Sequence, residues 1–239
     1  MGTLINCIAI ILAGLIGMRL GQNLSEQMRD TVLKANGAAV IMIGIAGTLS
    51  KMLVIENNMV STRGVLNMIL SICIGAAIGS WIDIERKMEQ FGEFLKLKTG
   101  SSKDTRFTDA FMTASLTVCI GAMAIVGAIR EGISGDASIL ISKAILDFVI
   151  IFVMASSMGK GTIFSFVPVG ILQGSVTLLA GALAGAFTPA VLDALSLTGN
   201  VIIALVGVNL LFGKTISTAN LLPALIITAI LTDVPGIGL

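Results

Sequence analysis

Three polar side chains fall deep inside stretches that are otherwise apolar. Asp147 sits in KAILDFVIIFVMASS, about nine residues in; Gln173 and Asn209 each lie about ten residues into later stretches. At that depth in a bilayer an ionisable group costs roughly 2.5–3.5 kcal/mol on insertion scales, so Asp147 is a functional candidate. One carboxylate with two amide oxygens offers hard, neutral-plus-anionic ligation. That chemistry suits a monovalent cation or a proton. The competing reading is structural: Lys143 is one helical turn from Asp147 and would neutralise it, with the amides bonding across helices.

Other residues could extend a polar path or form a gate. Ser156 and Ser157 follow Asp147 toward the end of its stretch, although such hydroxyls commonly bond back to their own helix. Asn6 and Asn67 lie about one turn inside the ends of their stretches, as packing or vestibule groups rather than central ligands. Pro168 and Pro223 break the backbone ladder inside apolar stretches, where freed carbonyls would either coordinate a cation or accompany a plain kink.

The composition restricts what else the chain does. Of 239 residues, 55% are hydrophobic and 12% charged, about half the charge of a soluble domain. That much apolar surface must meet lipid. There is no histidine, so an imidazole base, relay or metal ligand is excluded, and a net charge of +1 gives no field for nucleic acid. Tyr is absent and Trp81 stands alone, which leaves a thin aromatic belt. Cys7, Cys73 and Cys119 lie apart in apolar stretches and read as small buried hydrophobes. The Met158–Thr162 run only imitates the tail of a phosphate-binding loop and reads as a helix-ending turn. Nothing points to an enzyme. The first stretch lacks the basic start and small-residue cleavage site of a signal peptide.

A spanning helix needs about 20 apolar residues, which places spans at about 3–20, 37–55, 64–82, 108–129, 138–158, 163–187, 199–214 and 217–233. The expected fold is an all-α polytopic transmembrane bundle forming one domain over 1–239, with eight spans, or seven if the last two merge. With eight, one face receives Arg19, Arg29, Lys34, Arg86, Lys87, Lys96, Lys98, Lys103, Arg106, Lys160 and Lys214. The other receives Lys51, Arg63, Arg130 and Lys143. The richer face is expected in the cytoplasm, with both termini outside.

Three connections look amphipathic: Leu24, Met28 and Val32; Ile84, Met88, Phe91 and Leu95; and Val191, Leu192 and Leu195 after Pro189. They fall within a repeated pattern. Asn6 precedes Gly14, Asn67 precedes Gly75 and Gln173 precedes Gly181 by the same eight positions, each followed by a second glycine at Gly17, Gly79 or Gly185. Gly44 and Lys51 are spaced as Gly207 and Lys214 are. The units run over about 3–55, 64–129 and 163–214, with span 5 (138–158) unpaired and span 8 (217–233) outside the pattern. An odd helix between the second and third units inverts the third, an arrangement recurrent in transporters. The glycines themselves suit close helix packing.

The stretches Gly2–Asn6, FTDAFMTASLTVCIGAMAIVGAIREGISGD (107–136), KAILDF…SSMGKGTIFSFVPVGILQG (143–174) and NLLPAL (220–225) resemble the YqgA/YdfK-like bacterial membrane proteins, a domain of unknown function. The resemblance covers nearly the whole chain. It implies a bacterial inner-membrane location and carries the family label of a possible sodium channel or pump. The family usually has glycine after the span-5 Asp, where this chain has Phe148.

The expected function is movement of a small monovalent cation, Na⁺ or H⁺, across the bacterial cytoplasmic membrane, bound at Asp147, Gln173 and Asn209. No cofactor is expected beyond a bound Na⁺. The partners are the bilayer, the cation and, as an open question, a second copy of the chain. Two alternatives stand beside it: a proton- or sodium-coupled small-molecule transporter, and a non-transporting adaptor acting through the 83–109 loop.

Overall fold

A computed structural model describes the chain except residues 22, 57, 120, 121, 184, 186 and 237–239; the side chains of 56, 122 and 183 are also left undescribed. Its helices are α1 (Gly2–Gly21), α2 (Glu26–Met52), α3 (Val65–Ile82), α4 (Ile84–Lys98), α5 (Phe107–Cys119), α6 (Ala122–Ser134), α7 (Ser138–Met158), α8 (Phe166–Leu178), α9 (Ala180–Leu183), α10 (Pro189–Phe212) and α11 (Pro223–Thr232). A hairpin of β1 (Leu53–Glu56) and β2 (Met59–Thr62) joins α2 to α3. Among the described residues, six helical segments are long and apolar enough to cross a membrane: α1, α2, α3, α7, α10 and the continuous Lys160–Leu178 segment. α5 and α6, bent by 61° relative to each other, make a seventh if the pair crosses as one broken span rather than re-entering, and the shorter Thr218–Thr232 segment is also apolar. The class is an all-α polytopic bundle. Outward-facing Leu4, Ile8, Leu12, Ile226 and Ile230 are exposed, as lipid-facing side chains must be.

Element ends are set locally. α2 starts at Ser25, whose hydroxyl accepts from Met28 N (3.2 Å), and α10 at Thr188, which accepts from Val191 N (3.3 Å) ahead of Pro189. Asp83 takes a left-handed conformation (φ 55°), ending α3 and starting α4 in one residue. Glu131 of α6 receives Gly2 N (2.5 Å) and Thr3 N (3.4 Å), which anchors the first turn of α1.

Several boundaries differ from the sequence expectation. The amphipathic segment after span 1 is not separate: Met28 and Val32 belong to the first turns of a continuous 27-residue α2. Likewise Val191, Leu192 and Leu195 open α10, with Val191 and Leu195 buried. Only α4 is a distinct amphipathic helix, and its Ile84, Met88 and Leu95 pack on the core. Span 2 stops at Met52 because the β-branched run beyond it turns into the hairpin. Pro168 and Pro223 do not kink helix interiors. Each sits in the first turn of an α-helix that follows a 3₁₀ turn, at Lys160–Ser165 and Thr218–Leu221, where a missing N–H costs little.

Glycine faces make the closest helix contacts. α1 lies along α7 in the same direction: a Cβ at Gly2 would meet Leu140, one at Gly17 Ala155, and one at Gly21 the Ser156 backbone. α3 runs antiparallel to α11, with Gly75 on Ala224 and Gly79 on the Asn220 carbonyl. α2 runs antiparallel to α10 through Gly37, Gly44 and Gly207. Gly181 and Gly185, by contrast, face open space. Of the cysteines, Cys73 is exposed and Cys7 and Cys119 are half-buried.

Candidate functional site

The site forms where α1, α5, α7 and α8 meet. Asp147 is the tenth residue of the 21-residue α7 and is buried. The Lys143 ammonium, also buried, donates to Asp147 Oδ1 (2.8 Å) and Oδ2 (2.7 Å). It donates a third bond to the Val118 carbonyl (2.7 Å). Val118 is the penultimate residue of α5, beside the break between α5 and α6. Lys143 is therefore a buried partner within its span, not one of the charges counted at the less basic face, which leaves Lys51, Arg63 and Arg130 in that group.

Asn6 enters the same cluster. Its Nδ2 donates to Asp147 Oδ2 (2.9 Å) and, more weakly, to Gln173 Oε1 (3.4 Å). Asn6 is fully buried, so of its two expected places, packing group or vestibule, the vestibule is ruled out: the parallel alignment of α1 with α7 sets it beside Asp147. Gln173 is buried here as expected. Asn6 Oδ1 and Gln173 Nε2 have no hydrogen-bond partner among the described residues. A buried polar atom without a partner is costly, so this pair marks a place that a ligand could satisfy.

Asn209 is elsewhere. Because α10 begins at Pro189, Asn209 lies near its end and caps the following turn. Its Oδ1 accepts from Thr215 N (3.1 Å) and Ile216 N (3.0 Å), and its Nδ2 donates to Ile216 O (2.7 Å). Asn200, twelfth of the 24 residues of α10, is the group at mid-depth. With Thr117 and Ser196 it lines a cavity of about 290 Å³ that also reaches Asp147 and Lys143. Counting depth from Pro189, a first-turn proline, would have singled out Asn200.

The remaining candidates are structural in their contacts. Ser156 and Ser157 donate to backbone carbonyls of their own helix, Val153 O (2.7 Å) and Met154 O (3.1 Å). Asn67 donates to Thr228 O and Thr232 Oγ1 (both 3.3 Å), tying α3 to α11.

A larger cavity of about 540 Å³ opens at the face that holds the ends of α3, α7 and α10. Leu33, Met112, Leu116 and Val206 give it an apolar floor, and Asp30, Arg106 and Lys214 lie among its charged residues. Lys214 pairs with Glu85 (3.1 Å) and Glu89. Partial burial lowers the pKa of its ammonium, but the two carboxylates raise it further, so the group stays charged.

A polytopic helical bundle with a lysine–aspartate pair at the middle of one span defines an integral membrane protein with an intramembrane polar site. The chain belongs to the family described as "Protein of unknown function (DUF554)", whose model matches residues 1–233. It is 27% identical over 226 residues to the Uncharacterized membrane protein YdfK of Bacillus subtilis (strain 168), covering 95% of this chain and 93% of that protein. It is 26% identical over 230 residues to the Uncharacterized protein YqgA of Escherichia coli (strain K12), with the same coverage. No solved structure matches.

Proposed function

We propose that the protein moves a small monovalent cation, Na⁺ or H⁺, across the bacterial cytoplasmic membrane, and that Asp147 is the residue that binds it. The observation that carries this reading is the Lys143–Asp147 pair, buried at mid-span beside a cavity and two amides with unmet hydrogen-bonding capacity. Ionisable groups at this depth are costly and mark ion pathways and proton relays.

The ammonium occupies the position that a transported cation would take. When Lys143 loses its proton or swings away, Asp147, the Val118 carbonyl, Gln173 Oε1 and, once its amide turns over, Asn6 Oδ1 offer an all-oxygen set suited to Na⁺. Return of the protonated lysine would expel the ion. Lys143 then acts as a built-in competitor that links cation binding to proton release. This favours a coupled transporter over an open channel and over an enzyme. The basic-rich face is cytoplasmic in this reading, which sets both chain ends outside.

The cavity of about 540 Å³ supports a second reading, a cation-coupled carrier of a small molecule, since its size falls within the range of ligand pockets. Flux into proteoliposomes under separate Na⁺, K⁺ and H⁺ gradients tests the first reading. Movement of Na⁺ with opposite movement of H⁺ is expected; absence of flux under all three gradients would overturn it.

A further inference from the structure

α2 and α10 carry the same features at one fixed offset. The N-caps Ser25 and Thr188, the acids Asp30 and Asp193, the glycines Gly44 and Gly207, and the lysines Lys51 and Lys214 are each 163 positions apart. Their contacts obey the same offset. A Cβ at Gly44 would lie 2.5 Å from Ala204 N and 2.7 Å from Asn200 O. One at Gly207 would lie 2.7 Å from Ile41 N and 2.8 Å from Gly37 O. Ala204 is the mate of Ile41 and Asn200 the mate of Gly37. The two antiparallel helices thus cross about a local twofold axis perpendicular to their length. Asn6 and Gln173, matched in the repeat, bond to each other nearby.

The symmetry is broken at the charged ends. At one face Lys51 Nζ binds Asp193 Oδ1 (2.6 Å), with Arg63 on the second oxygen (3.5 Å). Their mates at the other face, Lys214 and Asp30, both line the cavity of about 540 Å³ and have other partners. Lys214 binds Glu85 and Glu89, and Asp30 binds Lys34 (2.7 Å). One end is latched and the other is open.

We infer that Asp30 and Lys214 form the gate pair of an alternate state, which closes this cavity as Lys51–Asp193 parts at the opposite face. The inference rests on the reading of Asp147 as the ion site. Inverted mates have two related packings, so the arrangement at one end is available to the other. The exchange gives up Lys51–Asp193 and the pairs of Lys214 with Glu85 and Glu89 for one new pair, Lys214–Asp30, while Glu85 keeps its hydrogen bond from Ala219 N.

Paired cysteines in the full-length chain, reconstituted in lipid and oxidised with copper-phenanthroline, test this. Cross-linked peptides are identified by mass spectrometry, so the native cysteines can stay. Asp30→Cys with Lys214→Cys is expected to cross-link, as is Lys51→Cys with Asp193→Cys. In the four-cysteine protein, linking the second pair first should abolish linking of the first. Failure of the 30–214 pair to link while 51–193 links overturns the inference, as does simultaneous linking of both. Mutually exclusive links in a protein with no cation flux would uphold this gate and overturn the cation reading.

Discussion

The Lys143 ammonium lies within 2.8 Å of both carboxylate oxygens of Asp147, one turn along α7, and 2.7 Å from the Val118 carbonyl at the end of α5. One side chain thereby neutralises the buried acid and ties α7 to the bent α5–α6 pair. In the proposed function, the same contacts make it the first thing an incoming cation must displace.

Asp147→Asn removes the counter-charge and leaves Lys143 buried without a carboxylate. Breaking a buried pair this way costs about 3–5 kcal/mol. Thermal unfolding in detergent should show a lowered midpoint, and Lys143→Met added to the same chain should restore most of it. An unchanged midpoint in the single variant would mean that Lys143 reaches water or another acid.

Lys143→Met alone frees the carboxylate and the oxygens around it. The midpoint of this variant should rise with NaCl more than with choline chloride, by mass action of a bound ion. Wild-type protein, in which the ammonium holds the site, should respond less. Equal responses in the two proteins would argue against Na⁺ at this position.

Much of this was legible in the sequence, for identifiable reasons. Asp147 and Gln173 stood out because polarity at that depth is expensive, and both are in the cluster. Lys143 was legible as a partner because i,i+4 spacing alone brings the two side chains together. Asn6 was misplaced because distance from a span end says nothing about how far two helices slide past each other. Glu131 anchors α1 so that its fifth residue meets the tenth of α7. Asn209 was misjudged because α10 starts ten residues before the assumed span, where Thr188 caps it. The hairpin after Met52 was hidden because a β-branched apolar run reads equally well as the end of a span.

The packing glycines give a test of the bundle that does not depend on transport. A methyl at Gly79 would overlap the Asn220 backbone carbonyl, which cannot move without displacing the 3₁₀ turn ahead of α11. Gly79→Ala should lower stability by about 1–3 kcal/mol. Gly181→Ala, facing open space, should leave the unfolding midpoint unchanged. Equal effects would show that α3 and α11 do not pack as described.

Orientation follows from labelling in whole cells. A cysteine at Lys98 should react with an impermeant thiol reagent only from the cytoplasm, and one at Asp136 only from outside. The bent α5–α6 pair lies between them, so labelling of both from one side would make that pair a re-entrant hairpin rather than a span.

The central claim is that Asp147 binds the transported cation rather than only neutralising Lys143. Asp147→Asn combined with Lys143→Met separates the two roles, because it removes the ion pair without leaving a buried charge. Reconstituted in proteoliposomes beside wild-type protein and empty liposomes, the double variant should unfold near the wild-type midpoint yet carry no Na⁺- or H⁺-driven flux above the empty control. Flux at the wild-type level in this folded double variant would contradict the account and leave the pair a purely structural one.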